Sequence, residues 1–120
     1  MNLEESGLRV EYYDAVPVVH LAGDIDVVQA GRLRDRLLTL VQNKDAGLVL
    51  DLSEVRYIDS SGVNVMFELA ERLAEGQIKF GVVIPEGGLV ERVLDIVDIR
   101  SVASAHRSVG DAVGAVSTVA

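Results

Sequence analysis

The chain has 120 residues, 49% of them hydrophobic and 25% charged, which suits one domain with its own core. The net charge of −8 argues against a nucleic-acid partner held by phosphate contacts and against anionic membrane surfaces. There are no cysteines, so disulfides and cysteine-ligated metals are excluded.

The first third of the chain predicts two strands and a helix. Residues 8–13 alternate apolar and polar side chains, and residues 16–21 predict a second strand that pairs with them as a hairpin. The tetrapeptide Gly23-Asp24-Ile25-Asp26 predicts a tight turn that ends the second strand, with Asp26 as the N-cap of a helix from about Val27 to Asn43. The predicted buried stripe of this helix is Leu33, Leu37, Leu40 and Val41.

The middle of the chain predicts a buried strand, a polar turn and an amphipathic helix. The nearly continuous apolar run from Gly47 to Leu52 is typical of a central strand, and residues 53–59 are predicted to form the turn. The turn signals of residues 45–47 separate this strand from the first helix. Either Asp59 or Ser60 can cap the second helix, which ends at Gly76. Its predicted core-facing stripe is Val63, Met66, Phe67, Ala70 and Leu73.

The last third predicts a fourth strand at residues 78–84, a short helix after Gly87-Gly88, a fifth strand at 99–103 and a final helix from about Val109. Strands therefore alternate with helices after an opening hairpin. This pattern predicts a single α/β domain over residues 1–120, ordered from about 8 to 116, with a mixed four- to five-stranded sheet and about four packed helices.

The usual signatures of an enzyme are missing from the sequence. It contains no P-loop, no Gly-x-Gly-x-x-Gly after a strand and no Gly-x-Ser-x-Gly. Neither His20 nor His106 stands where a serine nucleophile needs its base, and His20 is interpreted as a packed strand residue. We expect no enzymatic activity, metal or cofactor. No apolar run approaches the ~18 residues of a membrane span, and the acidic start is not a signal peptide, so a cytoplasmic protein is predicted.

The tetrad Asp59-Ser60-Ser61-Gly62 stands where the predicted turn becomes a helix. A helix start leaves about four backbone N–H groups without partners, at the positive end of the macrodipole. Asp and Ser are the residues that cap such ends, so capping alone explains the tetrad. The residue types by themselves leave a structural and a functional interpretation open.

The segment from Leu50 to Val63, which contains the tetrad, closely resembles the signature of anti-sigma factor antagonists, the small single-domain members of the STAS family. Three other segments resemble the family's loop and helix patterns: residues 21–26, 33–37 and 90–95. Two positions depart from the family pattern. Asn64 stands where a second glycine is common, and Val97-Asp98 replaces a frequent Thr-Gly.

The resemblance implies a STAS fold and a role in partner switching. An unphosphorylated antagonist binds an anti-sigma factor that is also a serine kinase, which frees the sigma factor. The kinase then phosphorylates the second serine of the tetrad, which is Ser61 here, and a phosphatase reverses the modification. The partner-binding residues that the resemblance implies are Asp24, Asp26, Asp59, Ser60, Ser61, Gly62 and Asn64.

A phosphate on Ser61 is expected to gain from the macrodipole and from free N–H groups, so that the fold changes little while the surface gains about −1.5 to −2 charges. Two alternatives stay open. In the first, the chain is a non-phosphorylated STAS module of a signalling scaffold or of a lipid or anion transport system. In the second, it is a small-ligand or nucleotide binder or an enzyme.

Overall fold

The computed structural model of the chain describes residues 8–40 and 47–117. The strands are β1 (Leu8–Tyr13), β2 (Val16–Ile25), β3 (Gly47–Ile58), β4 (Lys79–Val83) and β5 (Ser104–His106). The helices are α1 (Val27–Leu40), α2 (Ser60–Glu75), α3 (Leu89–Ile96) and α4 (Val109–Val116). The predicted end of α1 near Asn43, with Val41, Asp45 and Ala46, lies outside the described residues.

All five strands form one sheet in the order β1-β2-β3-β4-β5. β1 pairs antiparallel with β2, and the remaining neighbours are parallel. The prediction of a mixed α/β sheet with four packed helices is confirmed. Because β2 and β3 are parallel neighbours, the helices that follow them, α1 and α2, begin at the same edge of the sheet.

Apolar side chains cover both faces of the sheet. The larger core lies under α1, α2 and α3, and the predicted stripes on α1 and α2 supply Leu33, Leu37, Val63, Met66 and Leu73 to it. A smaller cluster on the opposite face lies under α4. Its buried members are Val16, Val18, Val49, Val83, Ala112 and Val116.

Two predicted turns are in fact continuations of strands. β2 runs on through Gly23, whose φ of +83° is accommodated by a register shift between Gly23 and Asp24. β3 runs on from Leu52 to Ile58, and this half pairs with residues 22–25 of β2. The prediction of a turn at 53–59 is wrong, since residues 53–58 belong to β3. The strand was not recognised because burial recurs there at every third residue, at Val55 and Ile58, and does not alternate as in a regular strand. The two long strands carry the chain together to the start of α2.

The fifth strand lies later than predicted. Residues 99–101 form a short 3₁₀ helix, and the strand that pairs with β4 is Ser104–His106. Ile99 and Ala103 suggested a strand because they are apolar, but both are buried in the main core from a non-strand segment. β4 spans Lys79–Val83, inside the predicted 78–84.

Arg34 of α1 and Glu68 of α2 join the two helices. Arg34 Nε donates to both carboxylate oxygens of Glu68, at 2.9 and 3.1 Å. These hydrogen bonds lower the pKa of Glu68 below its ordinary value of 4.5 and raise the pKa of Arg34. The ion pair therefore fixes α1 against α2 on the side that faces solvent. Within residues 8–40 and 47–117, no helix is long and apolar enough to cross a membrane.

Asp51 is the only charged side chain that is fully buried in the described part of the chain. It lies inside β3, within the predicted central strand, and is only 5% exposed. Its Oδ2 lies 2.6 Å from Nδ1 of His20, and its Oδ1 accepts from the N–H of Ser53 at 3.0 Å. Glu11 Oε1 lies 2.7 Å from Nε2 of the same histidine. His20 is thus packed between two carboxylates, in agreement with its interpretation as a packed residue.

Candidate functional site

The tetrad lies at the edge of the sheet where β2 and β3 end. Ile25 and Ile58 are register partners, and the N–H of Asp59 donates to the carbonyl of Ile25 at 3.2 Å. The residues that follow Ile25 and Ile58, Asp26 and Asp59, are therefore side by side. The structure brings the predicted acidic segment 24–26 and the tetrad onto one surface.

Asp59, not Ser60, caps α2. Its backbone is extended, and its Oδ1 accepts from the N–H groups of Ser61 and Gly62 at 2.9 and 3.2 Å. An extended residue directly before the first helical turn places its carboxylate beneath these two donors, which is the usual N-cap geometry. The cap thereby occupies two of the orphan N–H groups at the helix start.

Ser61 sits in the first turn of α2 and is half-buried. Within the described residues its hydroxyl makes no hydrogen bond. The expectation that a phosphate here meets free N–H groups is wrong for Ser61 and Gly62, because the Asp59 carboxylate already accepts from both. Ser60, directly before it in the sequence, and Asn64, three residues after it, are both exposed.

Gly62 is buried, unlike the other members of the tetrad. A Cβ at this position would lie 2.7 Å from Ile58 Cγ1 and 2.8 Å from Ile25 Cγ2. Both distances are too short for carbon atoms, so the first turn of α2 approaches the strand ends this closely only with glycine. Gly62 therefore allows the helix turn that carries Ser61 to lie against the ends of β2 and β3.

Gly62→Ala is expected to lower the free energy of unfolding by about 1–3 kcal/mol, the usual cost of overpacking a core site. The matched control is Gly31→Ala, since Gly31 lies in the interior of α1 and a Cβ added there would meet no atom within 4 Å. That change should stabilise the protein by about 0.5–1 kcal/mol through helix propensity. Urea unfolding measures both, and a Gly62→Ala variant as stable as Gly31→Ala contradicts the close approach.

Three carboxylates surround the two helix starts. Asp26 caps α1, and its Oδ1 accepts from the N–H groups of Val28 and Gln29 at 3.0 and 3.1 Å, as predicted. Asp59 caps α2 in the same way, and Asp24 is exposed on the preceding strand. The surface next to Ser61 thus already carries negative charge from these carboxylates, although two helix N-termini, which are the positive ends of the helix dipoles, meet there.

Apolar side chains are exposed beside these carboxylates, and sequence reasoning did not single them out. Val27 and Val28, the first two residues of α1, are 68% and 63% exposed. Tyr57, the register partner of Asp24, is 41% exposed. The signal in the sequence was a pair of valines that follows the Asp26 cap but lies off the buried stripe. Exposed apolar residues next to a ring of acids are typical of a protein-binding surface.

The two departures from the family pattern have different consequences. Asn64 is exposed one turn into α2, on the same side as Ser60. Asp98 adopts a left-handed conformation, with φ of 56° and ψ of 56°, just after α3. Glycine favours this conformation and Asp tolerates it, so the turn forms without the glycine.

In the part of the chain that the structure describes, no group of three or more His, Cys, Asp or Glu side chains is arranged to hold a metal ion. The groups at the site are the Ser61 hydroxyl, the carboxylates of Asp24, Asp26 and Asp59, and exposed apolar side chains.

The profile of the STAS domain family matches residues 8–112. The chain belongs to the STAS domain family. The match includes the whole sheet, α1 to α3 and the tetrad, so the STAS fold that the sequence resemblance implied is confirmed.

Known STAS proteins resemble the chain over most of its length. It is 27% identical to RsfB, an anti-sigma-F factor antagonist of Mycobacterium tuberculosis strain H37Rv, over 77% of this chain and 74% of RsfB. A solved anti-sigma factor antagonist from Mycobacterium paratuberculosis is 30% identical, with a TM-score of 0.84 over 92% of this chain and 93% of that one. The phosphorylated form of the Bacillus protein SpoIIAA shares the STAS fold at 16% identity, with a TM-score of 0.69 over 91% and 98% of the two chains.

Proposed function

We propose that this STAS protein is an anti-sigma factor antagonist whose binding is switched off by phosphorylation of Ser61. The observation that carries the proposal is the position of Ser61, a half-buried residue in the first turn of α2, at the edge of the sheet where the register of Ile25 with Ile58 brings Asp26 beside Asp59. The antagonist role of RsfB and of the Mycobacterium paratuberculosis protein supports the same role here.

In the unphosphorylated state the surface offers exposed apolar side chains next to capped helix starts. Val27, Val28 and Tyr57 provide contact area without any change of conformation. The anti-sigma factor that binds this surface releases its sigma factor. This role needs no catalytic group on the antagonist, in agreement with the absence of an enzyme signature from the sequence.

Phosphorylation would add about −1.5 to −2 charges at Ser61. Because Asp59 already accepts from the N–H groups of Ser61 and Gly62, the helix start has little left with which to neutralise the new charge. The phosphate would also lie close to the Asp59 carboxylate, and like charges repel. The added charge is therefore presented to the partner, and an acidic or apolar partner surface rejects it while the sheet and helices stay in place.

The kinase supplies the chemistry of transfer. ATP, magnesium and the group that accepts the hydroxyl proton belong to the anti-sigma factor kinase, and a phosphatase restores the free hydroxyl. This STAS protein contributes the acceptor hydroxyl and the rigid helix start that presents it.

Phosphate mapping tests this proposal. The purified protein is incubated with its cognate anti-sigma factor kinase and ATP, and the modified residue is located by mass spectrometry. Label is expected on Ser61 in the wild type and in Ser60→Ala, and none in Ser61→Ala. Ser60 is the natural comparison because it precedes the acceptor directly and is more exposed. Equal labelling of wild type and Ser61→Ala contradicts the assignment.

A further inference from the structure

An open groove runs beside α2, away from the tetrad. Its apolar lining consists of Phe67, Ala70, Ala74 and Val102. Its rim is formed by Glu68, Glu71 and Ser101. The volume is about 590 Å³, and the groove is lined opposite α2 by Ser101, the last residue of the 3₁₀ helix, and by Val102 directly after it.

The charges of this groove have one sign. Two carboxylates line it, and no lysine, arginine or histidine does so. Glu68 already holds the guanidinium of Arg34, which approaches from α1. Glu71 is exposed and has no ion-pair partner in the part of the chain that the structure describes. Glu71 is therefore the carboxylate that remains available to a cation from outside.

The groove and the tetrad belong to one continuous side of α2. Ser60, Asn64, Phe67, Glu71 and Ala74 follow one another at spacings of three and four residues, which places them along one stripe of the helix. Ten residues separate Ser61 from Glu71, so about 15 Å of helix lies between them. A protein interface of ordinary size covers about 800 Å² of each partner, which is enough to include both.

The geometry points to the groove as a second anchor point for the partner that binds the tetrad, and it assigns the occupant: a partner segment with an apolar side chain flanked by a lysine or arginine. This inference rests on the proposed function. The apolar side chain fills the groove between Ala74 and Val102, and the cation pairs with Glu71. The negative charge on the rim of the groove is complementary to the positive charge of the partner segment. The groove lies about 15 Å along α2 from Ser61, so this contact is kept away from the charge change there.

The two contacts on α2 then have different roles in binding the partner. The groove contributes affinity that does not depend on phosphorylation, and the contribution of the tetrad changes when Ser61 is phosphorylated. The partner is held by the first contact and is released when the second becomes repulsive.

Isothermal titration of the full chain into the anti-sigma factor of the same organism tests this assignment. Ala74→Trp, at an exposed helix position, fills the groove and is expected to weaken binding about tenfold. Glu71→Arg is expected to weaken it about three- to tenfold, with the larger loss at low salt. Glu75→Arg is the matched control, because it changes the charge of α2 by the same amount at an exposed position that does not line the groove. Its affinity should stay within about twofold of wild type.

The outcomes separate this inference from the proposed function. Wild-type affinity in both Ala74→Trp and Glu71→Arg overturns the groove assignment alone, provided that the wild type binds. Equal losses in Glu71→Arg and Glu75→Arg overturn it too, since they show a general charge effect. A change of oligomeric state in isolated Ala74→Trp makes the groove a contact between copies and also contradicts it. Absence of wild-type binding refutes the proposed function and this inference together.

Discussion

Replacing His20 with leucine is expected to lower the free energy of unfolding by about 3–5 kcal/mol, because it leaves a buried carboxylate without its partner. Asp51 is 5% exposed, and its Oδ2 lies 2.6 Å from His20 Nδ1. The remaining contact to Asp51, from the N–H of Ser53, satisfies only the other oxygen. Leucine offers no donor, and α4 with its apolar cluster keeps water from much of this face of the sheet.

The double variant His20→Leu, Asp51→Leu should lose much less stability than His20→Leu alone, since a buried pair is often replaced by apolar residues at little cost. His106→Leu is the control at a second, half-buried strand histidine, because the His106 imidazole hydrogen-bonds the hydroxyl of Ser104 rather than a buried carboxylate, and it should stay within about 0.5 kcal/mol of wild type. Urea unfolding compares the three. A loss under about 1 kcal/mol in His20→Leu contradicts the importance of the pair.

This pair bears on function because β3 leads from Asp51 directly to the tetrad. The strand crosses the middle of the sheet and ends at Ile58, one residue before the helix cap. Loosening β3 at Asp51 therefore loosens the support of Ser61. A folded His20→Leu variant should show this as faster amide exchange in β3 than in β4.

Periodic elements were predictable from the sequence. The stripe of α2 repeats at three- and four-residue spacing, and the structure buries Val63, Met66, Ala70 and Leu73 as expected, while Phe67, the fifth predicted member, is only partly buried. Asp26 was identified as a cap because it directly precedes the helix, and its two hydrogen bonds confirm this. These features depend on local spacing, which the sequence shows directly.

Features that depend on neighbouring strands were not predictable from local spacing. Residues 53–58 mix polar and apolar side chains and were predicted to form a turn, yet they form a strand because β2 is extended beside them. Gly23 was predicted as a turn residue because glycine permits tight turns, while the structure places it in an irregular stretch of β2. In both cases the pairing partner, rather than the residue types, decides the conformation.

The site was predicted through the family resemblance more than through the residues. Asp24 and Ser61 are distant in sequence, and only the register of Ile25 with Ile58 brings them together. The choice between Asp59 and Ser60 as cap was open because both residue types cap helices well. The extended backbone of Asp59 decides it, and this conformation is not encoded in composition.

A negative charge at residue 61 is the second large effect that we expect. Ser61→Asp should weaken binding to the anti-sigma factor between about 5- and 150-fold, the range of a typical coupling free energy. The reason is that the added carboxylate finds the N–H groups of residues 61 and 62 already bonded to Asp59. Ser61→Ala removes the hydroxyl without adding charge and should bind within about twofold of wild type.

The control for this measurement is Gln77→Asp, which adds the same charge near the far end of α2, about 20 Å away. Gln77 has φ of 59°, a conformation that Asp tolerates, so the turn should persist. Its affinity is expected to match wild type, which separates a local charge effect from a change in net charge.

The most direct test is therefore the dissociation constant of the anti-sigma factor for Ser61→Asp beside that for Ser61→Ala. A loss confined to Ser61→Asp, with Ser61→Ala and Gln77→Asp close to wild type, is the predicted result. Equal affinities for the aspartate and alanine variants would contradict a charge switch at this helix start.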